Sequence, residues 1–193
     1  MRGSQVCLVA LTIAACVCSA AQDQPCAAFL GKDDSPSRRF LEEQGNTRGS
    51  RCIVPVIKHL GQARDVKAVG VLISYLDYVD PATAPRPSGG ADIRPHYPAI
   101  TALFLIGTPA TLPLLTTIED SHDSKIRHNA TLAYSSIYRD DLASGIRRAR
   151  EQESHSNSVS GREHLRNLVD VLLQQCNGRL AKEAEECKNA VEK

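Results

Sequence analysis

Tryptophan is absent from this 193-residue chain, and three Phe and five Tyr bring the aromatics to only 4%. So few rings are hard to assemble into stacking platforms for bases or sugars. A surplus of charge is missing as well: 23 Lys and Arg against 22 Asp and Glu leave +1. The N-terminal 20 residues carry only Arg2, so a chain shortened there stays close to neutral. Such balance gives no electrostatic drive toward nucleic acid or an anionic membrane surface. No segment alternates strictly between apolar and polar residues, which argues against a sheet. No Ser or Cys stands in a nucleophile-elbow pattern, and no spacing matches a metal motif. Neither a catalytic nor a metal residue is therefore assigned, and no cofactor is expected.

The chain's opening reads as an export signal. Arg2 supplies a short positive region and Val6 to Val17 an apolar stretch of about 12 residues, too short for a permanent membrane anchor. Cys18-Ser19-Ala20 places small residues where a signal peptidase needs them, which predicts a signal peptide over 1–20 cut after Ala20. Ile13-Ala14-Ala15-Cys16 also resembles a bacterial lipobox, whose cysteine takes a lipid. Simple cleavage and lipidation at Cys16 both stay open, as does an N-terminal core helix. The expected location is periplasmic or extracellular, free or lipid-anchored to a bacterial membrane.

Beyond that segment four cysteines remain: Cys26, Cys52, Cys176 and Cys187. An even number in an exported chain suggests one or two disulfides, although buried free thiols remain an alternative. In one unbroken helix, Cys176 and Cys187 would lie about 16 Å apart, whereas a bridge needs Cα atoms within about 7 Å. That pairing requires a chain reversal, for which Asn177-Gly178 is the candidate. Cys26 with Cys52 is the slightly preferred pair.

After residue 26 the apolar periodicity is helical. Ser35-Pro36 ahead of RRFLEEQ and Gly45 reads as a short capped helix within an N-terminal extension over 21–51. Val56, Ile57 and Leu60 make one apolar face ending near Gly61. Asp65 then caps a second face of Ala68, Val69, Leu72, Ile73 and Leu76. Tyr97 to Asp120 repeats the arrangement, with Leu103, Ile106 and Gly107 before a Thr108-Pro109 hinge and Ala110, Leu114, Leu115 and Ile118 after it. Pro113, counted from Pro109, falls at the fifth helical position and predicts curvature. A weaker third unit runs through Ala130, Tyr134 and Ile137, turns at Arg139-Asp140-Asp141, and continues through Leu142, Ile146 and Ala149.

Leu60-Gly61 followed by Asp65-Val66-Lys67-Ala68-Val69, and Ile106-Gly107-Thr108-Pro109-Ala110, resemble the HEAT-like repeats named after phycobilisome lyases, over roughly residues 52–150. The resemblance implies an all-α fold: a short right-handed α-solenoid of helix hairpins, with a Pro-rich insertion at 81–96. Some relatives of this repeat act on bilins, so an enzyme or cofactor-handling protein of the bilin-lyase type is one implied alternative. Residues 151–160 are polar and read as a loop. Leu165, Leu168, Val169, Leu172, Leu173 and Cys176 form a clean helical stripe, thinly extended by Leu180, Ala184, Cys187 and Val191. Together 151–193 predicts a linker and a long C-terminal capping helix, as a short repeat array requires.

Arg127, Arg139, Arg147, Arg148 and Arg150 make residues 127–150 locally basic. They read either as a solvated helix pair or as a docking patch for an acidic protein partner. Asp120, His122, Asp123 and His128 cluster between helices, but Asp123 is best explained as a helix cap. His59, His96, His155 and His164 are scattered. Glu42-Glu43 and Glu185-Glu186, adjacent in sequence, diverge around their helices. Asn129-Ala130-Thr131 has the form of a glycosylation sequon but falls inside a predicted helix. These readings favour an exported, non-enzymatic interaction scaffold, with a small disulfide-stabilised helical bundle as a further alternative.

Overall fold

Leu41, Ile53, Ile57, Leu60, Leu72, Ile100, Leu103, Leu114 and Ile118 are all fully buried, so the aliphatic stripes face one another in a single core. The computed structural model describes residues 24–45, 48–83, 96–177 and 181–190. The signal segment, including Cys16 and Ala20, the insertion residues 84–95, and Gly178 and Leu180 lie outside the described residues. Within them the chain is all-helical, without strands. After a 3-10 turn over Gln24–Phe29 come α1 (Ser35–Gln44), α2 (Ile53–Gln62), α3 (Val69–Ile73), α4 (Pro98–Ile106) and α5 (Thr111–Asp120). α6 (Ser124–Ile137), α7 (Leu142–His155), α8 (Val159–Asn177) and α9 (Ala181–Asn189) complete it. No described helix is long and apolar enough to cross a membrane.

The helices pack in two rows. α2, α4 and α6 are neighbours in that order; α3 lies against α4 and α5, and α5 against α6 and α8. α7 packs chiefly on α8, and α9 rests on both. A close crossing joins α2 to α4. A Cβ on Gly61 would fall 2.6 Å from the Cα of Ala102 and 2.8 Å from its Cβ, so only glycine admits this approach. Buried polar groups tie neighbouring elements together. Tyr75 Oη donates to Leu41 O (2.8 Å), Asn129 Nδ2 to Leu76 O (2.7 Å), and Tyr134 Oη to Gly145 O (2.9 Å). Each satisfies a side-chain donor that would otherwise be costly to bury.

Several helix ends follow from local chemistry. Asp65 Oδ1 accepts from Lys67 N (3.0 Å), Asp123 Oδ1 from Lys125 N (2.8 Å) and Ile126 N (3.3 Å), and Asp141 Oδ1 from Ser144 N (3.1 Å). Gly107 ends α4 at φ 79°, where its N–H reaches Leu103 O.

Other sequence expectations change. Ser35 is not the cap of α1: its N–H donates to Asp33 Oδ1 (2.9 Å), and Ser35 already lies in the helix. α2 does end beside Gly61, at Gln62 as expected, but the residue that reverses the chain there is Arg64, φ 52°, and not the glycine. Gly61 and Gly107 match in sequence but serve different purposes, close packing in one case and chain reversal in the other. Pro113 introduces no mid-helix conflict. A 3-10 turn over Thr108–Ala110 delays the start of α5 to Thr111, which puts Pro113 in the first turn, where an N–H has no helical partner.

The segment 151–160 is a loop only over 156–158. α7 continues to His155, and α8 begins at Val159. Glu153, read as part of a polar linker, is buried and accepts from Arg150 Nη1 (2.7 Å) and Arg166 Nε (2.5 Å), which holds the last turn of α7 against α8. The boundary expected at residue 150 thus falls inside a helix. The long C-terminal helix is in fact two, α8 and α9. Cys176 and Cys187 are bonded with Cα atoms 6.4 Å apart, against about 16 Å along an unbroken helix, so the chain doubles back between them. Cys26 is bonded to Cys52.

Candidate functional site

α7 carries the densest exposed charge of the predicted patch, and two clefts flank it. Arg147 and Arg148 are consecutive, so they point about 100° apart around the helix. Arg148 enters a cleft of about 220 Å³ with Glu151, Gln152 and His155 of α7 and Thr111, Leu112 and Leu115 of α5. Arg147 enters a second, of about 390 Å³, with Asp141 and Ala143 on its own side and Glu186, Asn189 and Ala190 opposite. The five arginines therefore do not form one surface. Arg127 donates to Ser121 O (2.8 Å), beyond the end of α5. Arg150 is committed to Glu153, and Arg139 lies 3.7 Å from Asp140 in the α6–α7 turn.

The α5–α7 cleft combines an apolar floor with a charged rim. Leu115 is buried at the bottom, whereas Leu112 is 61% exposed, far more than a leucine at a packed helix interface. Thr111 Oγ1 is satisfied by Thr108 O (2.8 Å), and Gln152 Nε2 donates to Glu119 Oε2 (2.7 Å) across the two helices. His155 Nδ1 is 2.7 Å from Glu151 O. A carbonyl can only accept, so that nitrogen carries the proton and donates. The same logic makes His164 Nδ1 a donor to Glu119 O (3.1 Å). On α6, burial pushes the Tyr134 phenol far above its ordinary value, Tyr138 adds to the effect, and Arg148 opposes it. Tyr134 is thus a permanently neutral donor.

Two further carboxylates are tuned. Asp141 is held below its ordinary value by the Ser144 hydroxyl, against the effect of burial, with help from the Ser144 N–H and Arg147. For Glu153, burial pushes upward, but hydrogen bonds and charge from Arg150 and Arg166 outweigh it and the net shift is down. Both groups are anionic anchors rather than proton carriers near neutral pH.

The remaining candidates disperse. Asp120, His122, Asp123 and His128 are exposed, with Asp123 capping α6. His59 Nε2 lies 3.1 Å from Asp34 Oδ1 but out of alignment for a hydrogen bond. Glu42, Glu43, Glu185 and Glu186 are all exposed. Among the described residues no three His, Cys, Asp or Glu side chains converge where a metal ion could sit. Asn129 of the sequon is buried, its amide engaged with Leu76 O.

Sequence reasoning missed two positions. Leu112 was invisible because periodicity marks Leu114 and Leu115 as core and says nothing of a third apolar residue beside them. Asp80 was missed at the neck of the insertion. It is buried, its N–H donates to His96 O (2.8 Å), and its Oδ1 accepts from Ala82 N (2.9 Å). With Lys58 Nζ 3.8 Å from Oδ2, the two ends of residues 81–95 are held together there. An aspartate directly before Pro81 was the available signal.

No protein-family model, no curated protein and no solved structure matches this chain.

Proposed function

We propose that this chain is an exported, non-enzymatic scaffold that holds a protein partner in the α5–α7 cleft. The carrying observation is Leu112, largely exposed beside buried Leu115 and ringed by Arg148, Glu151, Gln152 and His155. An apolar anchor inside a polar rim is the usual anatomy of a protein-binding hot spot. Thr111 and Gln152 are committed to holding helices in place, which suits recognition better than bond making. Two disulfides are compatible with an oxidising compartment. On this reading the rows α2–α4–α6 and α3–α5–α8 are a short right-handed stack of HEAT-like units, with a rigid face left for the partner.

A second reading has one observation behind it. α4 and α5 bend away from each other by 114°, and α4 packs mainly on α2 and α6 while α5 packs mainly on α6 and α8. That favours a disulfide-stabilised helical bundle over separate hairpins, without changing the cleft. The binding claim is tested by capture from envelope extract with the wild type, Leu112→Asp, Arg148→Glu and, as control, Val159→Asp at an exposed apolar site that does not line the cleft. Loss of one retained partner in the first two variants alone supports the proposal. Equal capture by all four contradicts it.

A further inference from the structure

The two bridges differ in what they hold. Cys26–Cys52 joins the opening 3-10 turn to the residue before α2, a helix already packed against α1 and α4. Cys176–Cys187 joins the last turn of α8 to α9, whose other described side chains add little to fix it. Of the described α9 side chains, Cys187 is buried, Ala184 half-buried, and Glu185, Glu186 and Asn189 exposed, with Ala190 buried just beyond the helix. Two alanine methyl groups bury little apolar surface, and a helix of nine residues is not stable alone in water. Yet α9 rests on both α7 and α8, and Glu186, Asn189 and Ala190 wall the cleft that contains Arg147.

We infer that α9 is a latch, kept over the α7–α8 surface by the Cys176–Cys187 bridge and released when a dithiol reduces it. This goes beyond the scaffold reading and does not depend on which cleft a partner uses. One thiolate of the dithiol attacks Cys187 Sγ, the Sγ–Sγ bond breaks, and Cys176 leaves as the thiolate. The second thiol then attacks the mixed disulfide and frees Cys187. The dithiol becomes a disulfide, and its two electrons and two protons end on the two cysteine thiols. Because both cysteines are buried, attack follows a transient undocking of α9. Tying residues 11 apart favours the docked state by on the order of 100-fold over an open chain.

Hydrogen exchange on the full chain tests the latch by comparing the oxidised wild type with Cys176→Ser/Cys187→Ser. Amides of 181–189 are expected to exchange on the order of 100-fold faster in the variant, while those of α2 and α4 keep their protection. The Cys26→Ser/Cys52→Ser variant, before and after dithiothreitol, gives the same comparison with native cysteines at the latch. Unchanged exchange in α9 would show that packing alone holds it, and loss of protection spreading to α2 and α4 would make the bridge a staple of the whole core. Either result overturns the inference.

Discussion

Replacing Gly61 by alanine asks whether α2 and α4 cross where the structure places them. The added methyl would sit 2.6 Å from Ala102 Cα and 2.8 Å from Ala102 Cβ, with Ala102 O at 3.4 Å. Two of these atoms are backbone, so no rotamer relieves the clash and the helices must separate. Overpacking that no rotamer can relieve falls in the upper part of the usual range, about 2–3 kcal/mol. Alanine's better helix propensity returns about 1 kcal/mol, which leaves a net loss of about 1–2 kcal/mol. For a domain of this size that lowers Tm by about 2–8 °C. Gly70 provides the internal control: it lies in α3 with nothing within 4 Å of a built Cβ. Gly70→Ala is therefore expected to stabilise by about 0.5–1 kcal/mol. Ala102→Gly should not rescue Gly61→Ala, because the nearest contact is the Cα that remains. Urea unfolding followed by circular dichroism, with disulfides intact, reads all four chains. If Gly61→Ala is as stable as the wild type, or Ala102→Gly restores it, the crossing is not where the structure puts it.

Asn129→Ala should cost about 1–3 kcal/mol by leaving Leu76 O without its donor, and the folded protein should carry no glycan at Asn129; mass spectrometry and urea titration check both. Glu153 has a folded pKa below its ordinary 4.5, so its contribution to stability is fully present above that value and is lost as pH falls through the lower, folded value. Glu153→Gln should accordingly flatten acid unfolding below about pH 4.5, and an unchanged acid profile would refute the Arg150–Glu153–Arg166 link. Mass spectrometry of the protein purified from its producing cell should find an N-terminus at Ala21 and two disulfides; retention of Met1, a lipid at Cys16, or four free thiols would contradict simple cleavage or the bridges.

Much of the fold was legible because it rests on spacing. The stripes through Val56, Leu60, Leu72 and Leu103 are buried as their periodicity demands, and the capping roles of Asp65 and Asp123 follow from one carboxylate ahead of a helix. What spacing could not show was pairing in space. Gly61 and Gly107 look alike in sequence, yet only a neighbouring helix explains the first. Glu153 lies in a run of polar residues, and its burial became evident only once Arg166 approached from α8. The basic patch failed as a unit for the same reason. Local density of arginine says nothing of direction, and the helix sends Arg147 and Arg148 to different clefts while Arg127 and Arg150 are used internally. The candidate site was thus half visible, through Arg148 but not through Leu112.

The most direct test of recognition at this cleft is site-specific photocrosslinking. A photoreactive residue at position 112 is compared in the producing cell with one at Asp170, which is exposed on α8. The account predicts one discrete protein adduct at 112, abolished by Arg148→Glu, and none at 170. Equal labelling at both positions, or an adduct indifferent to Arg148, would contradict it.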